Sequence, residues 1–260
     1  MKTILDTIIA VKQSEVAQLK KRFNYRDFEQ MQGFSKPVKS LANSLLEKDF
    51  GIIAEIKRES PSAGIINANL NIEQTARTYQ EVGSAGISCL TDTNFFGGSN
   101  SDLSRVKSVS NLPVLRKEFI IDEIQIFESK AIGADAILLI AEILDYQTAL
   151  NFTIIAQSLG MEVLMELHNA SELQKINDQV NLIGINNRDL RLQKTNLETS
   201  FTLKPYLPSA IPVISESGIK SGEEVQQLKD AGFAGALIGE SILNKVHPRE
   251  FFEQLKSPIC

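Results

Sequence analysis

The stretch Gly51-Ile-Ile-Ala-Glu-Ile-Lys57 combines a continuous apolar body with a cation at its end. Runs that are apolar on both sides are typical of parallel strands covered by helices on both faces. An ionised side chain in a protein interior needs a partner or a function, so Lys57 is a candidate functional residue. Later runs of the same kind end in Lys117, Glu166, Asn186 and Ser217. Strand after strand that ends in a polar group indicates the active site of a β/α-barrel.

Short apolar runs alternate with segments of helical period from about Gly51 onward. The runs are Ile52–Lys57, Ala85–Thr91, Val114–Lys117, Ala136–Ile140, Val163–Leu167, Leu182–Asn187, Val213–Ser217 and Ala236–Gly239. Capping-box patterns at Asp122 and Ser221 begin two of the intervening helices, and Gly133 and Gly232 follow them as C-terminal caps. Eight strand–helix alternations predict an α/β fold, namely a (β/α)8 TIM barrel.

The first 48 residues lie outside this alternation and predict an N-terminal helical extension. Ile4, Ile8 and Val16 lie among charged and amide residues, as in an amphipathic helix, and residues 41–48 predict a second helix. Two interpretations stay open, a cap over the bottom of the barrel or a wall at the top, where substrates bind. We predict a single domain over residues 1–260, with the extension at 1–48 and eight strand–helix units at 49–260.

Composition excludes several classes of protein. The 260 residues are close to the roughly 250 of one β/α-barrel, and the net charge is −5 without any Lys/Arg-rich tract, so we expect no nucleic-acid partner. No apolar run approaches the ~20 residues that span a membrane, and the N-terminus lacks signal-peptide features. The scattered Cys89, Cys260, His168 and His247 form neither a disulfide framework nor zinc-ligand spacing. We therefore expect a cytoplasmic protein without a metal.

Two strands place charges by alternation. Glu55 and Lys57 are two residues apart, so both face the barrel interior, either as a buried ion pair or as catalytic groups. In the third strand Lys117 and Arg116 must face opposite sides. Each side also carries one apolar residue, so the pattern alone leaves open which cation points inward.

The fifth strand ends in a candidate acid–base group. Desolvation of Glu166 would raise its pKa into the range useful for proton transfer. Glu162 lies at the start of the strand, where exposure costs little. His168 follows beyond the strand, and we interpret it as an ordinary loop residue.

Glycine-containing turns follow the seventh and eighth strands. Ser217-Gly218 and Gly239-Glu240-Ser241 are either ordinary turns or a phosphate site, since glycine lets backbone N–H groups approach an anion. Arg188, after the sixth strand, can contact a carboxylate or phosphate, or pair with Asp189.

Other candidate contacts lie after the first three strands. Ser60 belongs to a turn-rich loop that is either a connection or a mobile cover over the site. Phe96 and Phe119 each come just after a strand, where they would either contact an aromatic ring or belong to the core.

Taken in chain order, these segments resemble the indole-3-glycerol-phosphate synthase family. The matching pieces are Ala54-Glu-Ile-Lys-Arg-Glu-Ser-Pro-Ser62, Leu90-Thr-Asp-Thr-Asn-Phe-Phe-Gly-Gly-Ser99, Val114-Leu-Arg-Lys-Glu-Phe-Ile-Ile-Asp122, Asp135-Ala-Ile-Leu-Leu-Ile140, Glu162-Val-Leu-Met-Glu166, Ile183-Gly-Ile-Asn-Asn-Arg-Asp-Leu190, Ser215-Glu-Ser-Gly-Ile219 and Leu237-Ile-Gly-Glu-Ser241. Each piece falls at its own strand, and together they cover nearly the whole chain. The resemblance implies that Lys117, not Arg116, faces the interior.

The resemblance implies a reaction of tryptophan biosynthesis. A phosphorylated anthranilate-derived substrate, 1-(2-carboxyphenylamino)-1-deoxyribulose 5-phosphate, closes to an indole with loss of carbon dioxide and water, and no cofactor is implied. Lys117 would be the general acid at the carbonyl and Glu166 the acid/base of the later dehydration. Lys57 would bind the carboxylate or phosphate and can also donate a proton. Glu55, Asn186, Glu216 and Ser217 would orient these groups, while Ser60, Phe96, Phe119, Leu138, Arg188, Gly218, Gly239 and Ser241 would contact substrate or its phosphate. We expect a monomer.

Three rival functions make different demands on the residues. Phosphoribosylanthranilate isomerase, another phosphate-binding barrel, needs a Cys/Asp pair at strand ends, whereas Cys89 lies inside a strand. A Schiff-base aldolase would use Lys57 or Lys117 as a nucleophile. A non-catalytic barrel would have lost at least one of the key groups, and all of them are present in this sequence.

Overall fold

Eight parallel strands form a closed barrel. A computed structural model describes residues 3–189, 191, 194–243 and 248–256. The barrel strands are β1 Gly51–Ile56, β2 Gly86–Leu90, β3 Val114–Lys117, β4 Ala136–Ile140, β5 Glu162–Leu167, β6 Leu182–Asn186, β7 Val213–Glu216 and β8 Gly235–Ile238. Each strand pairs with the next and β8 pairs with β1, which closes the ring. The predicted TIM barrel is confirmed, and the predicted strand ends are correct to within one residue.

Helices precede the barrel and connect its strands. They are α1 Ile4–Arg22, α2 Tyr25–Glu29, α3 Leu41–Leu46, α4 Ile72–Glu81, α5 Thr93–Phe96, α6 Asn100–Val109, α7 Glu123–Ile132, α8 Tyr146–Ser158, α9 Glu198–Leu203, α10 Gly222–Asp230, α11 Glu240–Leu243 and α12 Pro248–Lys256. Both predicted capping boxes are confirmed, at Asp122 before α7 and at Ser221 before α10. Gly133 and Gly232 adopt positive φ just after these helices, as the cap prediction requires. No helix in the described ranges has both the length and the apolar character of a membrane span.

Strand alternation divides the core into two layers. Ile52, Ile87 and Val163 point outward and pack in the layer that contains the surrounding helices. Leu115 and Leu164 point inward and fill the barrel centre. Because side chains two residues apart share a face, Lys117 continues the inward row of Leu115. The same alternation sends Arg116 outward, where it bonds Ser129 and Glu128 of α7.

Helix α3 closes the N-terminal end of the barrel. Its Leu41 and Leu45 are fully buried, and small residues make room for them. A Cβ added at Gly86 would lie 2.4 Å from Leu41 Cδ1, and one at Gly51 would lie 2.5 Å from Leu45 Cδ1. A side chain at either glycine would therefore displace one of these buried leucines.

The start of β5 ties α3 to the barrel through Glu162. Its carboxylate accepts hydrogen bonds from the Ser40 hydroxyl and, at 2.8 Å, from the Ala42 N–H in the first turn of α3. This half-buried carboxylate therefore bonds the first turn of α3, a contact that its position at the strand start did not predict.

Helix α1 crosses to the opposite end, where Ile4, Leu5 and Ile8 line a cavity. Each of the two open interpretations of the extension is therefore correct for one of its helices. Helix α3 caps the bottom of the barrel, and helix α1 forms a wall at the top.

Candidate active site

A cavity of about 450 Å³ opens at the carboxyl ends of the strands. All the site residues expected from the sequence line it, and each of the eight strands, or the connection that follows it, contributes at least one of them. They are Glu55, Lys57, Ser60, Phe96, Lys117, Phe119, Leu138, Glu166, Asn186, Arg188, Glu216, Ser217, Gly218, Gly239 and Ser241. The cavity thus has a charged floor, an apolar wall and a glycine-containing rim.

Lys117 stands between two carboxylates at the floor of the cavity. Its Nζ lies 2.6 Å from Glu166 Oε2 and 2.5 Å from Glu216 Oε2. Burial alone would lower the pKa of Lys117, but the charges of Glu166 and Glu216 outweigh burial and raise it. Lys117 is therefore protonated and placed to give a proton to a group bound above it.

The two glutamates beside Lys117 differ in proton affinity. Burial favours the neutral form of both, yet Lys117 and then His168 hold the pKa of Glu166 below its ordinary value. Burial, only partly offset by Lys117 and reinforced by ionised Glu166, raises the pKa of Glu216. The expectation of a raised pKa at Glu166 is therefore wrong. The carboxyl that holds a proton more readily is Glu216.

Glu55 and Lys57 form a second ion pair, with Lys57 Nζ 2.6 Å from Glu55 Oε1. Tyr79 donates its hydroxyl to the Glu55 carbonyl at 3.1 Å, which fixes the end of β1. A Cβ at Gly239 would lie 2.6 Å from Glu55 Oε1. Gly239 therefore leaves room for this carboxylate as well as for a ligand.

The rim after β7 has a left-handed backbone at Ser217 (φ 66) and Gly218 (φ 82). Among the described non-glycine residues only Ser217 has a positive φ, a conformation that costs free energy and is concentrated at functional sites. Asn187 holds it, because its Nδ2 donates to the carbonyl oxygens of Glu216 and Ser217 at 2.9 and 3.0 Å. Asn187 has no role in the sequence interpretation. Alternation could have indicated this role. Asn186 faces the cavity, so the next residue, Asn187, must face the other way, toward the neighbouring segments.

The remaining polar rim residues bond to neighbouring loops. Arg188 pairs with Glu240 at 3.4 Å. The Ser241 hydroxyl donates to the Ile219 carbonyl at 2.7 Å, which joins the turns after β7 and β8. The loop after β1 contains a short antiparallel pair, Glu59–Ser60 with Gly64–Ile65, where only a turn-rich loop was expected.

An apolar wall faces these charges. The rings of Phe96 and Phe119 lie 6.1 Å apart between centroids and are tilted by 37°. Both rings line the cavity with Leu138 and with Leu5 of α1. This wall can hold a flat aromatic group while a charged part of the same ligand reaches the rim.

His168 is the main functional candidate that the sequence interpretation missed. It is buried, 9% exposed, and its Nε2 lies 3.3 Å from Glu166 Oε1. The interpretation of His168 as an ordinary loop residue is wrong. The available signal was its spacing of two residues from Glu166, which places both side chains on the same side of the chain.

Glu142, His168 and Glu172 are the one group among the described residues whose His and acidic atoms lie close enough to hold a metal ion, within 4.8 Å of one another. Arg191 already pairs with Glu142 at 2.5 Å. Glu166 and Glu172 raise the pKa of His168 to about 10 in spite of burial, which favours its protonated form. A protonated imidazole has no free lone pair for a metal, so the arrangement fits ion pairs better.

The fold and site define a class of protein, a β/α-barrel with buried charged groups and a glycine-containing rim at the carboxyl ends of its strands. A family model described as Indole-3-glycerol phosphate synthase matches residues 5–255. The chain belongs to this family.

Relatives named indole-3-glycerol phosphate synthase match over all or nearly all of their lengths. The protein of Bacteroides thetaiotaomicron is 40% identical, with 100% of both chains covered. That of Carboxydothermus hydrogenoformans is 40% identical over 96% of this chain and 98% of its own. That of Pelodictyon phaeoclathratiforme is 42% identical over 92% of this chain and 94% of its own.

Solved structures with the same fold are more distant in sequence. A 3-hexulose-6-phosphate synthase from Salmonella typhimurium has a TM-score of 0.63 at 12% identity, covering 79% of this chain and 96% of its own. The tryptophan synthase subunit alpha of Legionella pneumophila has a TM-score of 0.59 at 15% identity, covering 84% and 96%. These likenesses concern the fold alone.

Proposed function

We propose that the cavity carries out the indole-3-glycerol phosphate synthase reaction through the residues described above. The protein is a carboxy-lyase of tryptophan biosynthesis and acts on a phosphorylated substrate, as its family membership over residues 5–255 establishes. The substrate, 1-(2-carboxyphenylamino)-1-deoxyribulose 5-phosphate, loses carbon dioxide and water as the indole ring closes. One observation carries the assignment of residues, a protonated lysine held between two buried carboxylates beneath an aromatic wall.

Lys117 is the general acid of ring closure in this proposal. The aromatic carbon attacks the substrate carbonyl, and Lys117 gives its proton to the carbonyl oxygen as the new carbon–carbon bond forms. The raised pKa ensures that the lysine carries a proton before the step. Carbon dioxide then leaves and the ring becomes aromatic again.

Glu166 acts in the later dehydration, in which the hydroxyl leaves as water and a ring proton is removed. It contacts Lys117 through Oε2, so proton transfer between the two residues needs no large movement. Glu216, on the other side of Lys117, and Asn186 orient the reacting groups.

The substrate has an aromatic end and a phosphate end, and the cavity has a matching polarity. Phe96, Phe119 and Leu138 face the anthranilate ring in the proposed complex. The turns at Ser217–Gly218 and Gly239–Ser241 hold the phosphate through backbone N–H groups. Lys57 binds the carboxylate or the phosphate of the substrate, and Glu55 holds the Lys57 ammonium in place. Ser60 and Arg188 complete the rim.

The rival functions lack support in the site. Cys89 is buried in the layer between the barrel and its helices and does not line the cavity, so an isomerase using this thiol is not favoured. Because the pKa of Lys117 is raised, its neutral amine is scarce, which disfavours a Schiff base there.

We further infer that residues 1–260 form one domain that acts as a cytoplasmic monomer without nucleic acid. The acidic net charge of −5 supports the last inference. Both ends of the barrel contact the N-terminal extension, which supports a single domain. Light scattering of the purified protein measures the oligomeric state directly.

An indole-fluorescence assay tests the proposed function. The chain has no tryptophan, so product emission rises over little protein background. We expect product from the carboxyphenylamino-deoxyribulose phosphate, with full activity in EDTA. Activity that disappears with EDTA and returns with Mg²⁺ would contradict the cofactor-free mechanism, and a complete lack of product would contradict the function itself.

A further inference from the structure

The two oxygens of Glu166 face two different cations. Oε2 accepts a hydrogen bond from Lys117 in the cavity at 2.6 Å. Oε1 lies 3.3 Å from Nε2 of His168, which is buried and does not line the cavity. Only the Lys117 side of the carboxylate therefore meets the substrate, while the His168 side faces the protein.

His168 is held in place by the segment that follows it. Its backbone N–H donates to Glu172 Oε2 at 2.8 Å, and Asn169 Nδ2 donates to Glu172 Oε1 at 2.6 Å. The same Glu172 Oε2 lies 3.7 Å from His168 Nδ1. Neither ring nitrogen makes a well-aligned hydrogen bond within the described residues. The attraction between the imidazole and both glutamates is therefore mainly one of charge.

Charged groups face His168 from each neighbouring segment. Glu166 comes from its own strand and Glu172 from the 3₁₀ turn Ala170–Lys175. Glu142, after β4, is the third acid of the group, and Arg191 pairs with it. Lys117 lies beyond Glu166 on the cavity side. The surroundings of the imidazole are thus predominantly acidic, which favours its protonated form.

We propose that His168, as an imidazolium backed by Glu172, is a positioning residue that keeps Glu166 oriented and ionised for the dehydration step. The inference rests on the proposed function. During ring closure Lys117 gives its proton to the substrate carbonyl and becomes neutral, so Glu166 loses the charge beside Oε2. Burial would then raise the proton affinity of Glu166. His168 lies outside the cavity and keeps its charge, so Glu166 remains able to release a proton as well as to take one.

Paired variants separate the charge of His168 from its volume. His168→Gln keeps an N–H donor and removes the charge, whereas His168→Lys keeps a cation. An opposite charge at this distance lowers a carboxyl pKa by about 1–3 pH units. We expect His168→Gln to move the acidic limb of the kcat profile upward by about that amount and His168→Lys to leave it near the wild-type position. Glu166→Gln should lack this limb, which assigns it.

Single-turnover kinetics provide the second readout. His168→Gln should slow indole formation while carbon dioxide release keeps its wild-type rate. Two results would show a structural role only and overturn the proposal. The first is an acidic limb that does not move in His168→Gln. The second is an equal slowing of carbon dioxide release and indole formation in both His168→Gln and His168→Lys.

A measurement on the unaltered protein covers the case in which the variants do not fold. The sequence has only one other histidine, His247, so nitrogen-15 labelling of histidine gives signals from two rings, and His247→Gln assigns them. We expect the His168 ring to stay protonated at pH 8, with a pKa near 10. A His168 ring that titrates at its ordinary value of about 6.5 would refute the ion pair. This titration needs no substrate, so it is independent of whether the wild type makes indole.

Discussion

Lys117 contacts carboxylates from two other strands, and these contacts preserve its charge rather than its nucleophilicity. Removal of the ammonium would leave Glu166 and Glu216 buried side by side. Two like charges at such a site cannot both stay ionised at low cost, so one would take up a proton. A substitution at Lys117 therefore removes a proton donor and also changes the state of its neighbours.

We predict that Lys117→Met abolishes ring closure, because methionine has a similar volume and no proton to give. Loss of one general acid typically costs about 10²–10⁴-fold in rate. Glu166→Gln should permit ring closure and slow dehydration, so that an intermediate without carbon dioxide but with its hydroxyl accumulates. Single-turnover experiments that follow carbon dioxide and indole separately distinguish the two. The assigned roles are reversed if Glu166→Gln slows both releases equally while Lys117→Met spares carbon dioxide release.

The stability of the protein should depend on pH through His168. Its pKa in the folded state is about 10, above the ordinary value of 6.5, because Glu166 and Glu172 outweigh the effect of burial. The contribution of protonated His168 to the free energy of unfolding is therefore fully present below pH 6.5 and is lost as pH rises through 10. The slope is at most about 1.4 kcal/mol per pH unit for one group. Urea unfolding of wild type and His168→Gln between pH 6 and 10 should show a difference that shrinks with pH. Parallel curves would contradict the prediction.

For single residues, alternation along a strand predicted which side chains face the cavity. It did not predict the distances between side chains on different strands. The spacing of Glu55 and Lys57 correctly predicts a shared face. The lowered pKa of Glu166 depends on Lys117 from β3, and the distance between those residues depends on how distant parts of the chain meet. His168 was missed because alternation was not continued one residue past the predicted end of β5.

Helix α1 is fastened to the barrel by Lys12. Its Nζ lies 3.0 Å from Asp92 and 2.9 Å from Glu118, and all three side chains are buried. Glu118 also accepts a hydrogen bond from the Phe119 backbone N–H at 2.8 Å. The anchor of α1 therefore connects directly to the segment that carries an aromatic ring of the cavity.

Removal of this anchor should affect both stability and substrate binding. Lys12→Met leaves buried carboxylates without their cation, a change that typically costs about 3–5 kcal/mol in the free energy of unfolding. It should also raise KM, since Leu5 and Ile8 of α1 line the cavity. Lys20→Met is the control on the same helix. Lys20 is half-exposed in its pair with Asp122, and such pairs contribute about 0–1 kcal/mol. Equal losses in the two variants would contradict the prediction.

The turn after β8 should tolerate no side chain at Gly239. A valine there would meet the carboxylate of Glu55, whose Oε1 lies 2.6 Å from the added Cβ position. We expect Gly239→Val to weaken the binding of a phosphate-bearing product analogue, measured by calorimetry. Gly232→Ala is the control, because an added Cβ there meets no atom within 4 Å, and its φ of 78 costs stability without touching the cavity. Unchanged affinity in Gly239→Val would remove this turn from the phosphate site.

The bounds of strands with a clear apolar pattern could be predicted from the sequence. The position of the N-terminal extension on the barrel could not. β3 and β4 have the bounds that the apolar runs predict. The amphipathic pattern of α1 predicts one buried face, but a pattern on one helix does not specify which end of a barrel receives that face. Lys12 and its buried partners decide this, and they come from separate segments of the chain.

The whole molecule separates stability from chemistry along the barrel axis. Leu41 and Leu45 of α3 fill the N-terminal end, and the charged cavity occupies the carboxyl end. Changes at the closed end should lower stability and leave the chemistry of the other end unchanged.

Two adjacent leucines of α3 test this separation. Leu45→Ala removes a fully buried side chain and should cost about 2–5 kcal/mol in the free energy of unfolding. Leu46 is 58% exposed, so Leu46→Ala should stay within about 0.5 kcal/mol of wild type. Both folded variants should keep the wild-type KM and pH profile. A changed pH profile in Leu45→Ala would show that the two ends are coupled.

The opposite orientations of Arg116 and Lys117 also bear on how the barrel folds. A slip of β3 by one residue against β2 would exchange the two faces of the strand. The Arg116 guanidinium would leave Glu128 and Ser129 for the barrel interior, and Lys117 would lose both carboxylates. In such a misaligned intermediate both cations lose their native hydrogen-bond geometry, and a buried charge without well-placed partners costs free energy. Lys117, the proposed general acid, therefore also favours the native register of β3.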